Sequence, residues 1–157
     1  MTRVLLVCTA NICRSPMALA TVLALTRQVG PAEQEQDPRG GRPRFSDFDS
    51  AGTHAYRTRE PPDVRATAAL VRRGYAVGKQ RSRQVTVEDF DRFDLILAMD
   101  YANLEALREL CPPEHSRKLR LFLDFAPGFD GQEMPDPYYG SDQGFERVLD
   151  LCEVVAH

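Results

Sequence analysis

The chain has 157 residues, 43% hydrophobic and 27% charged, with a formal net charge of −3 and a pI near 5.6. That length suits one domain spanning 1–157 with a real core, and the acidic balance argues against a general nucleic-acid binder while leaving room for a local positive pocket. Met1-Thr2-Arg3 and the short apolar run to Cys8 do not read as a secretory signal, and no stretch is long enough to span a membrane. Cys8, Cys13, Cys111 and Cys152 are therefore expected to be free thiols in a cytoplasmic protein.

Arg3 to Cys8 is an aliphatic run without polar alternation, the pattern of a strand buried on both faces of a parallel sheet. Met17, Leu19, Ala20, Leu23 and Ala24 then recur at helical spacing, with Pro16 suited to a first turn and Gly30-Pro31 to an end. Residues 30–44, rich in glycine, proline and charge, read as a flexible surface excursion. Phe45–Ser50 is a weak strand candidate. Asp63 suits the N-cap of a helix over Val64–Arg73 closed by Gly74. Phe93–Met99 reads as a second buried strand, Asp100 as the cap of a helix through Leu110, Leu119–Leu123 as a further strand and Gly144–Val155 as a final helix. Strands alternating with helices point to an open α/β sheet.

The chemistry concentrates between the first strand and the first helix, at the strand end where such sheets bind ligands. There Cys8-Thr9-Ala10-Asn11-Ile12-Cys13-Arg14-Ser15-Pro16 runs into a helix N-terminus, where backbone N–H groups converge as an anion nest. A thiol at its mouth is expected to form thiolate readily, and Arg14 can return across the loop to grip two phosphate oxygens with its planar fork. The thiolate would then attack phosphorus in line, giving a cysteinyl phosphate. Asn11 suits a left-handed position in so tight a loop. Asp136, held extended by Pro137, is a candidate proton donor.

Cys8–Pro16 resembles the signature loop of the low-molecular-weight protein tyrosine phosphatases, usually Cys-x-Gly-Asn-Ile-Cys-Arg-Ser-Pro. The likeness continues in Ser50-Ala51-Gly52-Thr53, Pro61-Pro62-Asp63, Arg83-Gln84, Glu88-Asp89-Phe90, Met99-Asp100, Asn103-Leu104 and Asp136-Pro137-Tyr138-Tyr139-Gly140. The resemblance implies a flavodoxin-like or Rossmann-like sheet of four parallel strands, in the order 2-1-3-4, with helices on both faces. It implies Cys8 as nucleophile, Arg14 as clamp and Asp136 as general acid and later base. Thr9, Ala10, Asn11, Ile12, Cys13 and Arg14 would bind phosphate, and Ser15, Ser50 and Asn11 would support the loop. Ile12, Tyr56, Tyr138 and Tyr139 would wall a pocket that prefers a phenyl ring to a serine side chain. The implied partners are a phosphotyrosine protein, a tyrosine kinase among the candidates, and inorganic phosphate as product. The implied form is a monomer or weak dimer, with no nucleic acid or membrane involved.

No cofactor is implied, and His54, His115 and His157 have no metal-ligand spacing. Ala10 stands where the family usually has glycine, which would strain a position needing positive φ. Gln80 stands where many members carry a loop-supporting histidine, and Asp100 and Asn103 read mainly as helix caps. Cys13 on the same loop could form a reversible disulfide with Cys8. Three rivals follow. Ala10 and Gln80 would suit an impaired phosphate-binding or phosphoprotein-binding module. A thioredoxin-coupled arsenate reductase needs further cysteines, and none stands between Cys13 and Cys111. A phosphoarginine phosphatase would carry threonine at Ile12 and lack the paired tyrosines.

Overall fold

All five residues of β1 (Val4–Cys8) are buried, as an aliphatic strand at the centre of a covered sheet requires. The computed structural model describes residues 2–27, 48–55, 57–138, 140 and 142–156; the excursion expected over 30–44 lies outside them. β1 pairs in parallel with β2 (Phe48–Gly52) on one side and β3 (Leu95–Ala98) on the other, and β4 (Leu119–Leu121) completes the order β2-β1-β3-β4. The topology is the expected four-stranded parallel sheet.

Because successive strand residues face opposite ways, β1 serves two cores. Val4, Leu6 and Cys8 join Met17, Leu70, Phe145 and Leu149 on the face covered by α1 (Arg14–Arg27), α2 (Val64–Arg72) and α5 (Asp142–Ala156). Leu5 and Val7 join Phe90, Ile96, Leu104 and Leu107 on the face covered by α3 (Val87–Arg92) and α4 (Tyr101–Leu110). Asp63 caps α2 by accepting from the Arg65 backbone N–H, and Asp100 caps α4 by accepting from that of Asn103.

Several boundaries differ from the sequence reading. The second strand runs to Gly52 because residues 83–85 add to its edge, with Gly52 N–H donating to Arg83 and Val85 N–H to Gly52. After Leu121 the chain tightens into a 3-10 turn over Phe122–Phe125 rather than staying extended. α5 starts two residues early, at Asp142. The short helix α3 has a reciprocal Thr86–Asp89 capping box, a signal present in the sequence but not read as a helix. Among the described residues no helix is long and apolar enough to cross a membrane.

Candidate active site

Cys8 ends β1 and Arg14 opens α1, so the five residues between them must turn tightly at the carboxyl edge of the sheet. Four backbone bonds draw the loop carbonyls outward. Thr53 N–H donates to Cys8 (2.9 Å), His54 N–H to Thr9 (2.8 Å), Asp63 N–H to Ile12 (2.8 Å) and Met17 N–H to Cys13 (3.0 Å). The N–H groups of Ala10, Asn11, Ile12 and Cys13 have no acceptor among the described residues. Ala10, Ile12 and Cys13 line one concave cleft, and a loop of unpaired backbone donors beside a helix start is the general form of an anion nest. The left-handed position falls on Asn11 (φ 61°) and not on Ala10, so alanine sits there without backbone strain.

Gly52 makes the turn possible. A Cβ on it would lie 2.6 Å from the Thr9 carbonyl oxygen and 3.1 Å from Asn11 N, so only glycine lets β2 approach this closely. Buried Asn11 spends its whole carboxamide on the surroundings. Its Nδ2 donates to Ser15 Oγ (2.8 Å) and Ser50 Oγ (2.9 Å), and its Oδ1 accepts from Arg83 N–H (2.9 Å). Ser15 Oγ lies 3.0 Å from Cys8 Sγ and, already accepting from Asn11, has its proton free for the sulfur. The three side chains expected to support the loop, Ser15, Ser50 and Asn11, are joined in one hydrogen-bonded group. Gln80, standing where many family members carry a loop-supporting histidine, donates its Nε2 to the Pro16 and Val77 carbonyls (both 3.2 Å), while its buried Oε1 has no partner.

Arg14 is buried, with 3% side-chain exposure, and its Nη1 donates to Asp100 Oδ2 (2.7 Å) and the Met134 carbonyl (3.1 Å). Its Nη2 lies 3.4 Å from Thr9 Oγ1 and 3.6 Å from Asp136 Oδ2. Burial alone would lower the guanidinium pKa, but the Cys8 sulfur, Asp100 and Asp136 outweigh it and hold the group above its ordinary value. The cation is therefore permanent, and its outer edge remains for a ligand.

Asp136 is 47% exposed, and its Oδ1 accepts from Tyr138 N–H (3.0 Å), leaving Oδ2 on the Arg14 side. A cleft of about 570 Å³ is lined by Cys8, Thr9, Ala10, Ile12, Cys13 and Arg14 of the loop together with Arg57, Glu60, Pro61, Asp136 and Tyr138. Tyr138 is also stacked by Arg65, 5.4 Å from the ring centre. Tyr56 and Tyr139, expected as further walls, lie outside the described residues. Burial pushes the Cys13 thiol up to about 12, with Asp63, Cys8 and Asp136 adding to it. Among the described residues no cluster could hold a metal ion.

Sequence reasoning read Asp100 and Asn103 mainly as helix caps. Both cap, yet Asp100 also pairs with Arg14, and Asn103 Nδ2 donates to Thr9 Oγ1 (3.0 Å). It also missed buried Ser82, which ties together Arg57 and Glu60, two residues that line the cleft. Its hydroxyl donates to the Arg57 carbonyl (2.7 Å) and accepts from Glu60 N–H (2.9 Å), while its backbone pairs with Arg59 and Glu60. Arg83 bridges Asp49 and buried Asp89, tying β2 to α3 behind the loop. None of these contacts has a local sequence signature, although Gly52 inside a strand pattern is a general sign of close backbone approach.

A model of the family described as low molecular weight phosphotyrosine protein phosphatase matches residues 3–157. A low molecular weight protein-tyrosine-phosphatase of Streptomyces coelicolor is 38% identical over 157 residues, covering 98% of this chain and 88% of that protein. The low molecular weight phosphotyrosine protein phosphatase of Homo sapiens is 35% identical over 152 residues, covering 95% and 87%. Among solved structures, a protein tyrosine phosphatase of Entamoeba histolytica with Hepes in its active site superimposes with a TM-score of 0.86 at 35% identity, covering 99% of this chain and 92% of that one.

Proposed function

The chain belongs to the low molecular weight phosphotyrosine protein phosphatases, hydrolases of phosphoric monoesters, and on that premise we propose that it works through a covalent intermediate on Cys8. The observation that carries this reading is the convergence of Cys8, Arg14, Asp136 and the unpaired loop amides on one cleft. The amides of the loop and the outer edge of Arg14 bind the three non-bridging phosphate oxygens. The Cys8 thiolate attacks phosphorus opposite the tyrosine oxygen, forming the S–P bond as the P–O bond breaks. Protonated Asp136 gives its proton to the departing phenolate, and Ser15 steadies the sulfur. Asp136 then takes a proton from a water molecule that attacks phosphorus, the S–P bond breaks, and inorganic phosphate and the thiolate are released. Positioning and charge complementarity contribute most of the rate in such transfers, which suits a cradle built before substrate arrives.

Tyr138 and Ile12 flank the cleft and favour a flat phenyl ring, which supports tyrosine over a shorter phosphorylated side chain. The impaired-module reading loses its main support, because Ala10 is free of positive φ and Gln80 reaches the Pro16 carbonyl.

The test is hydrolysis of a phosphotyrosine peptide in the presence of a chelator, beside Cys8→Ser and Asp136→Ala. Loss of all turnover in the first variant and of about 10²–10⁴-fold in the second is expected. Turnover that survives Cys8→Ser would end the covalent mechanism.

A further inference from the structure

The hydroxyl of Thr9 is held by two nitrogens that can only donate to it. Asn103 Nδ2 lies 3.0 Å and Arg14 Nη2 3.4 Å from its Oγ1. A hydroxyl has two lone pairs and one proton, so with both lone pairs taken the proton must point elsewhere. It finds no protein acceptor among the described residues, and Thr9 lines the same cleft as Cys8 and Asp136.

Asn103 is not needed at Thr9 for capping, since its backbone N–H already closes onto Asp100. Its side chain is 1% exposed, and its Oδ1 is buried without a partner. An unpaired buried carbonyl is costly, so the fold accepts a penalty to hold Nδ2 against Thr9. The neighbouring support has the same form. There Asn11 Nδ2 occupies Ser15 Oγ and turns that hydroxyl toward the Cys8 sulfur.

We propose that Thr9 is a further catalytic residue, its side-chain hydroxyl donating to a non-bridging oxygen of the bound phosphate, and that Asn103 is the positioning residue that aims it. The inference rests on the reading of the cleft as a phosphotyrosine site. Arg14 Nη2 borders both Thr9 Oγ1 and Asp136 Oδ2, so the oxygen that Nη2 grips is the one the Thr9 proton meets. Negative charge spreads over those oxygens during transfer, and a donor fixed beforehand stabilises it without reorganisation.

The experiment compares wild type with Thr9→Val, Thr9→Ser, Asn103→Leu and the Thr9→Val/Asn103→Leu double variant. Each is read by kcat/KM on a phosphotyrosine peptide and by inhibition with vanadate, which becomes five-coordinate with the Cys8 sulfur as one ligand, as the transferring phosphoryl group does. Thr9→Val is expected to lower kcat/KM and weaken vanadate by about 10- to 100-fold, with Thr9→Ser close to wild type. Asn103→Leu should lose part of this, and the double variant should be no worse than Thr9→Val alone. Thr9→Val within twofold of wild type on both readouts overturns the proposal. Full additivity in the double variant overturns the part given to Asn103. Wild type that binds vanadate but hydrolyses no peptide would refute the phosphatase reading, and the vanadate series would still decide the role of Thr9.

Discussion

The two sides of the cleft are built in opposite ways. The loop from Cys8 to Arg14 is tied to β2, to residues 53–54, to Asp63 and to Arg83, and Asn11, Cys13 and Arg14 are buried. Across from it, Asp136 is about half exposed and Tyr138 is 41% exposed, with the Tyr138 N–H donating to Asp136, Asp136 Oδ2 3.6 Å from Arg14 and Arg65 over the Tyr138 ring. An anion cradle loses its advantage if its dipoles must reorganise around the charge, so rigidity serves it. In the proposed mechanism the proton donor meets a leaving group that departs and then a water that enters, so an exposed carboxylate serves that task. The difference teaches that precision is concentrated where phosphate sits, and adjustability where the substrate's organic part enters and leaves.

If the contrast holds, damage to the exposed side should cost rate without cost to folding. Asp136→Asn is expected to lower kcat on a phosphotyrosine peptide by about 10²–10⁴-fold while its thermal unfolding stays within about 0.5 kcal/mol of wild type. A large stability loss would mean that Asp136 is as structural as the loop.

Damage to the buried side should cost both. In Gly52→Ala the new methyl meets the Thr9 carbonyl at 2.6 Å, so the loop or the strand must move. A cost of about 1–3 kcal/mol in stability and a fall in kcat/KM of about 10²-fold are expected, read by denaturant melts and steady-state kinetics. Asp100→Ala leaves a buried Arg14 without its carboxylate and should weaken phosphate inhibition by about tenfold or more. Unchanged phosphate affinity would show that Met134 alone suffices to aim Arg14.

The smallest effect concerns the thiols. With the Cys13 thiol held up to about 12, iodoacetamide near pH 7 should leave Cys13 unlabelled while Cys8, the proposed nucleophile, is modified, as mass mapping would show. Raising the pH toward 12 populates the Cys13 thiolate, so labelling there should climb with pH. Separately, peroxide should join the two thiols as a disulfide, itself reduced to water, with activity returned by dithiothreitol. Inactivation that dithiothreitol cannot reverse would count against the pairing.

How much of this was legible follows from the range of each contact. Cys8, Arg14 and Asn11 fall within one short segment, where strand, turn and helix signals mark a nest; the Asp-Pro pair marked Asp136, and the resemblance added the roles of Ser15 and Ser50 and strengthened that of Asp136. Asp100 with Arg14, Asn103 with Thr9 and Arg83 with Asn11 join residues 86, 94 and 72 positions apart. Only the crossover order of the sheet brings those strand ends together, and periodicity carries no record of it. The caps at Asp63 and Asp100 were legible because capping is local; the second task of Asp100 was not.

Asn11 gives the thiolate's support a polarity. Hydrogen bonds run from the Asn11 amide to Ser15 and on to sulfur, each donor set by the group behind it. An aspartate in place of Asn11 would put an oxygen where the nitrogen donates and reverse that direction. The Ser15 proton would turn back to the new carboxylate, away from Cys8, and a negative charge would enter beside the sulfur. The nucleophile would remain, without the direction of the bonds that make it useful.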